Sequence, residues 1–410
     1  MKPSFAEALR VWLKVGVLGF GGPAGQIALL HREVVERRGW FDEARFQHAL
    51  SFCLLLPGPE AQQLATYLGW LLHGVRGGLA AGLLFVLPGF AVIVALSAAY
   101  VTIGDVPDAQ AVMLGVKAAV VGILLQALIR VASRSLTGWP VAAVAGVAFV
   151  AMTLFAAPFP LVVIAAGLLG FVLAPRGEAA EKAAPVKWGP TLVSVLVWTA
   201  VWLVPLVGIG LAFGPHSSLA QMGGFFSRLA AFSFGGAYAA LAYAKDAAVN
   251  VFGWLDADQM LDGLGLAETT PGPLILVLVY VGFVGGWNTA PVGLSWLWAV
   301  VGSLVAGWAI FAPSFLWIFA GAPHVERLRS SARLSGALRF VGAAVVGVIA
   351  SLGVWFAGRL LIGEEGALEI PAAGLTALGL IATFGLRWGV LRTLALCAFA
   401  GWAWGRLGLA

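Results

Sequence analysis

Residues Leu54–Trp70 read LLLPGPEAQQLATYLGW, an apolar run interrupted by a Pro-Gly-Pro-Glu break at Pro57–Glu60. Proline removes a helical hydrogen bond and glycine weakens the helix, so the run reads as two half-length helices, about residues 46–56 and 59–73, hinged at Pro57-Gly58-Pro59. The stretch has a counterpart 214 residues further on, where Thr269–Pro273 reads TTPGP. The same offset superimposes Phe20-Gly21-Gly22 on Phe234-Gly235-Gly236 and Gly39-Trp40 on Gly253-Trp254. Twelve of forty positions between 20–59 and 234–273 are identical, and Gly, Pro and Trp dominate those matches over Ala and Leu. The chain is a duplication.

Of the 410 residues, 61% are hydrophobic and 10% charged, and the mean hydropathy is +0.96, which leaves too little polar surface for a water-soluble globule of this size. The sequence reads as an all-α polytopic membrane protein. Apolar segments of roughly 17 to 25 residues recur from end to end, each long enough to cross a ~30 Å hydrocarbon core as a helix, and no run of short alternating strands suggests a barrel. The N-terminal stretch carries Lys2, Arg10 and Lys14 and lacks a cleavage motif, so no removable signal peptide is expected. Cys53 and Cys397 lie in distant apolar segments, which gives no support for a disulfide framework, a zinc site or an iron-sulfur cluster. The net charge of +5 has no basic run behind it, which fits loops facing anionic lipid and argues against nucleic acid.

A first helix from Ser4 to Leu30 is broken at Gly19–Pro23, and a mixed-charge interfacial stretch follows at His31–Arg45. Spans are predicted near 77–100, 110–130, 138–156 and 160–174, then at 190–213 with no counterpart in the duplication. The second half repeats the plan at 219–245, a broken 258–287, 292–319, 341–362, 371–386 and 388–408. Counting each broken segment as one crossing gives six spans per half plus a connector, about thirteen in all. Lysine and arginine mark the cytoplasmic side. Arg130 and Arg134, the linker 175–188 and Arg327, Arg329, Arg333 and Arg339 then lie inside, whereas Asp105, Asp108, Glu364, Glu365 and Glu369 lie outside. The odd connector inverts the second half, the inverted-repeat plan in which discontinuous helices meet near the bilayer midplane. The expected division is 1–174 as N-terminal repeat, 175–213 as linker and connector, and 214–410 as C-terminal repeat.

A glycine followed by proline at a first helical position marks a helix start, so free N–H groups and about half a positive charge are expected to point at each break. That is costly in hydrocarbon and favourable beside an anion. The residues expected to bind substrate are Gly21, Gly22, Pro23, Gln26, Pro57, Gly58, Pro59, Glu60 and Gln62 in the first half. In the second they are Gly235, Gly236, Tyr238, Thr269, Thr270, Pro271, Gly272 and Pro273. Lys14 and Arg228, equivalent cations inside apolar helices, join them as candidates that either face the anion or snorkel to the interface. Lys117 is a third cation, with no twin. Glu60 either caps its helix or carries a proton, and Glu268 is a positional complement with Leu54 at the matching site. Gln63 and Thr66 add polar groups near the break, whereas His31, His48 and His73 read as interfacial. No nucleophile with a base, phosphate loop or metal cluster stands out.

The blocks GFGGPAGQI (19–27), GWFDEARF (39–46), CLLLPGPEAQQLATYLGW (53–70) and GGLAAGLLFVLPG (77–89) together resemble the chromate transporter family, of the ChrA type with two fused homologous domains. The resemblance implies a multi-pass protein of the bacterial or archaeal inner membrane that exports chromate, with sulfate as the related oxyanion, driven by an ion gradient. TTPGPL lacks the Glu of the first copy, which removes symmetry from any role of Glu60. The expected function is a secondary active oxyanion transporter that exports chromate and confers chromate resistance. The alternatives are an uptake carrier for sulfate or another oxyanion, a channel, and an integral membrane enzyme. Chromate or sulfate as cargo and the lipid bilayer are the expected partners, with a homodimer left open. No cofactor, metal or nucleic acid is expected.

Overall fold

The computed structural model describes residues 3–104, 106–174, 188–234, 236–324, 332–363 and 366–407. Lys2, Asp105, residues 175–187, Gly235, Arg327, Arg329, Glu364 and Glu365 lie outside them. The first repeat comprises α1 (Phe5–Leu18), α2 (Gly22–His31), α3 (Glu43–Cys53), α4 (Glu60–Ile103), α5 (Pro107–Ser135), α6 (Trp139–Leu154) and α7 (Phe159–Leu173). A connector, α8 (Trp188–Phe213), leads to α9 (Ser218–Phe232), α10 (Ala237–Lys245), α11 (Ala257–Thr269), α12 (Val277–Asn288), α13 (Ser295–Gly321), α14 (Ala332–Leu361), α15 (Ile370–Leu380) and α16 (Val390–Arg406). Helix α4 is two limbs, because His73 and Gly74 leave helical geometry and Gly74 takes φ 62°. Equivalent π-helical turns follow α2 (Arg32–Glu36) and α10 (Asp246–Val251).

Five helices are long and apolar enough to cross a membrane: Glu60–Ile103, Pro107–Ser135, Gly189–Phe213, Ser295–Gly321 and Arg333–Leu361. Trp139–Leu154, Phe159–Leu173, Leu274–Asn288 and Ile370–Gly385 are shorter apolar helices. With each broken pair counted once, the described residues give the expected thirteen segments, but the broken pairs fold back on themselves and do not run through. Nineteen residues of continuous helix would separate Lys14 from Glu33 by about 28 Å, yet Lys14 Nζ donates to Glu33 Oε1 at 2.9 Å. Phe225 on α9 meets Tyr243 on α10 with ring centroids 5.0 Å apart. Phe52 on α3 meets Tyr67 on α4 at 5.1 Å, and the Tyr280 hydroxyl on α12 donates to Gln259 O on α11 at 2.9 Å. Four of the thirteen segments are therefore hairpins that enter and leave at one face. Each repeat holds two, so the parity of the remaining crossings is unchanged.

Close approach of backbones holds the bundle together, as small residues allow in helix packing within membranes. A Cβ on Gly69 would lie 2.4 Å from Gly77 O, and one on Gly282 would lie 2.4 Å from Gly302 O. The repeats interlock in a reciprocal way: α5 packs on α15 and α16, and its counterpart α14 packs on α6 and α7. Arg339 reaches from α14 to Thr137, donating to its Oγ1 at 3.0 Å and its carbonyl at 2.7 Å, and Arg333 lies over the Phe171 ring. The basic turn after α5, the end of α7 and the start of α14 thus share a face.

Candidate functional site at the crossed helix breaks

The first hairpins turn at Phe20–Gly22 and next to Gly236, the second hairpins at their Pro-Gly-Pro, and the four turns meet. Gly58 N donates to Ser233 O at 2.8 Å, and Gly272 N donates to Gly19 O at 2.9 Å. Residues 58 and 272 are equivalent under the 214-residue offset, as are 19 and 233, so each repeat gives the other the same bond. That reciprocity is the signature of an isologous contact about a two-fold axis. Gly58 (φ 116°) and Gly272 (φ 95°) both occupy the left-handed region that favours glycine. Their N–H groups are therefore committed to the other repeat, and the donors left for a ligand belong to the helices that follow.

Those helices start around one tight cavity of about 10 Å³, room for about a single water, lined by residues that include Pro23, Gln26, Pro59, Glu60, Gly236 and Pro273. Ala61, Ala237, Leu274 and Ile275 complete the wall. The first turns of α2, α4, α10 and the Leu274–Asn288 helix all face it, each with unsatisfied backbone donors. Gln26 is fully buried and bridges the repeats, its Nε2 donating to Gly19 O at 3.1 Å and Gly272 O at 2.5 Å. Its Oε1 has no hydrogen-bond partner. A Cβ on Gly236 would lie 3.9 Å from Glu60 Oε1, so the Glu60 carboxylate reaches across to the opposite repeat. A Cβ on Gly89, about midway along the second limb of α4, would lie 2.0 Å from Pro271 O. The crossed breaks thus lie at mid-height of a long apolar helix.

The remaining candidates divide. Gly21 (φ 87°) and Gly22 (φ 70°) form the turn into α2, and Pro57 O accepts from Gln63 Nε2 at 2.7 Å. Tyr238, in the first turn of α10, donates to the buried Glu268 at 2.9 Å. Thr269 and Thr270 spend their hydroxyls on Leu266 O. Gln62 is fully buried with neither amide atom bonded, and it does not line the cavity. Lys14 is absent from the lining and sits on Glu33 with Arg37 and Arg38; Arg228 is absent too and faces outward. Lys117 pairs with Asp262 across the repeats at 3.1 Å. Thr66 bonds Gln62 O within its own helix, and His73 lies by Pro3 O. The wall residues Ala61, Ala237, Leu274 and Ile275 carry no chemistry that a sequence could advertise; their only signal is position, one or two residues past each break.

The architecture is that of a multi-pass helical membrane protein built from two interlocked copies of one unit, with broken helices crossed at its centre. The chain belongs to the chromate transporter family, whose model, described as "Chromate transporter", matches residues 6–171 and 220–402. It is 30% identical to the "Probable chromate transport protein" of Synechococcus elongatus over 93% of this chain and 91% of that one. It is likewise 30% identical to the "Chromate transport protein" of Cupriavidus metallidurans, over 90% of this chain and 85% of that one. For the protein of the same name from Pseudomonas aeruginosa the identity is 32%, over 84% and 79%. These relatives are named as transporters, not enzymes. No solved structure matches the chain.

Proposed function

We propose that the chain is a secondary active oxyanion transporter of the inner membrane that exports chromate, coupled to a proton gradient, and so confers chromate resistance. The observation that carries this reading is the cavity at the four helix starts. At about half a charge each, four N-termini present roughly two positive charges, which matches a tetrahedral dianion without a metal or a lysine. Gln26, with one amide oxygen unbonded, can accept from a protonated oxyanion. Family membership and the names of the relatives favour chromate; sulfate has the same shape and charge and stands as the second cargo.

Coupling is assigned to Glu60. An ionised carboxylate at this wall cancels about one of the two charges, so anion and proton are received together. The two repeats, 1–174 and 214–410, act as inverted halves, with 175–213 as linker and connector. Residues 175–188 and 322–340 are cytoplasmic, and 101–109 and 363–370 are periplasmic. The test is movement of radiolabelled chromate and sulfate in proteoliposomes under imposed pH gradients of either sign. Wild type is expected to move chromate faster with a gradient than without. Glu60→Gln is expected to keep anion exchange and lose the response to pH; a retained response would remove Glu60 from the coupling.

A further inference from the structure

The bases of the two first hairpins are built from equivalent positions, but their cations are paired differently. In the first repeat Glu33 takes Lys14 (2.9 Å), Arg37 (2.8 Å) and Arg38, and His31 lies between Glu36 (3.1 Å) and Glu43 (2.6 Å). In the second repeat the cations at positions 14 and 31 persist as Arg228 and Lys245, whereas Glu33, Glu36 and Glu43 become Ala247, Asn250 and Ala257. Among the described residues no carboxylate forms an ion pair with Arg228 or Lys245. Asp246, at the position of Arg32, follows Lys245 in sequence and accepts from Asn250 Nδ2 at 2.8 Å, which takes up one of its oxygens.

This base opens on a cavity of about 190 Å³ between the end of α10, the α6–α7 turn and α14, lined by residues that include Lys245, Asp246, Asn250, Thr153, Ser351 and Trp355. Lys245 Nζ lies 5.0 Å from the centre of the Trp355 ring, which supports the cation without neutralising it. Thr153 Oγ1 and Ser351 Oγ, 3.0 Å apart, add hydroxyls to the wall. Eight residues of α10, about 12 Å at the helical rise, lead from Lys245 to Ala237 in the wall of the central cavity.

We infer that this cavity is a second anion site, a vestibule in which Lys245 holds the tetrahedral dianion on its way between the central cavity and the solution. The inference rests on the oxyanion-transport reading only for the identity of the traveller. The ligand chemistry, a sulfate-like or phosphate-like dianion, is shared with an anionic lipid headgroup. The vestibule is placed in the second repeat because in the first Glu33, Glu36 and Glu43 already take up Lys14 and His31.

The test uses the full chain with Ser351→Cys, since Cys53 and Cys397 are buried. Modification by a negatively charged methanethiosulfonate reagent is timed against sulfate in zwitterionic nanodiscs. Sulfate is expected to slow labelling, the half-protecting concentration to rise about tenfold in Lys245→Gln and in Asn250→Glu, and Lys245→Arg to retain protection. Absent protection, or protection indifferent to Lys245→Gln in folded protein, overturns the inference. Protection by anionic phosphatidylglycerol alone, insensitive to sulfate, assigns the cavity to a headgroup and also overturns it. Gly58→Ala separates this inference from the central site: loss of transport with intact sulfate protection keeps the vestibule, whatever becomes of the cavity at the breaks.

Discussion

Gly58 and Gly272 each meet two demands that no other residue meets together, a positive φ and an N–H pointed at the opposite repeat. Alanine at Gly58 incurs the left-handed cost of roughly 1–2 kcal/mol, and its Cβ would lie 3.0 Å from Gln63 Nε2. At Gly272 the same atom would meet Leu276 Cδ1 at 3.1 Å. Sulfate affinity in purified protein is expected to fall at least tenfold in either variant with the helix content unchanged; affinity within twofold of wild type would detach the crossed bond from the site. Lys14 belongs to a different ledger. Lys14→Gln is expected to leave affinity within about twofold, because Lys14 Nζ is held by Glu33 away from the cavity. Glu33→Gln strands three cations around a fully buried position. Partial exposure of those cations lowers the cost to roughly 1–3 kcal/mol, read as a lower unfolding temperature in detergent.

At the level of elements, α8 is the piece without a counterpart. It lies on the outside of the bundle against α9 and α13, and no charged residue falls in it. Its attachment is local: Trp198 packs on Phe315 and Phe319, and Trp308 Nε1 donates to Val201 O and Trp202 O. An unrelated apolar helix of equal length that keeps Trp198 is expected to preserve transport, since backbone carbonyls still meet Trp308. Deleting α8 should misorient the second repeat. Transport lost from a correctly inserted replacement would give α8 a role in the cycle.

For the whole molecule, orientation is decided by the face that gathers the arginines. Arg333 and Arg339 lie with the end of α7 and the turn at Thr137, whereas Arg406 pairs with Asp108 at 2.5 Å at the other end of α5. A cysteine replacing Arg333 should react with membrane-impermeant reagents only from the cytoplasmic side. Labelling from outside would reverse the topology and with it the side on which the proposed vestibule opens. Interlocking of α5 with α15 and α16, and of α14 with α6 and α7, makes the repeats one packed body despite their separate stretches of sequence.

The membrane class, the helical build, the duplication and the helix breaks follow from the sequence alone. Apolar length, Gly and Pro punctuation and a constant 214-residue offset are local properties, and local properties survive in a string. The family blocks around Phe20 and Pro57 belong to the same legible part. What happens after each break is not local. A chain leaving Pro59 or Pro23 can continue across the bilayer or turn back, with the same apolar periodicity either way; only packing such as Phe52 on Tyr67 decides it. The bonds that cross the breaks join Gly58 to Ser233 and Gly19 to Gly272, far apart in sequence and made by backbone atoms that every residue carries. For the same reason Lys14 reads in the string as either a site cation or an interfacial one and is Glu33's partner in the fold: its charge is written in the sequence, but the carboxylate that takes it up is brought there by the turn at Gly21.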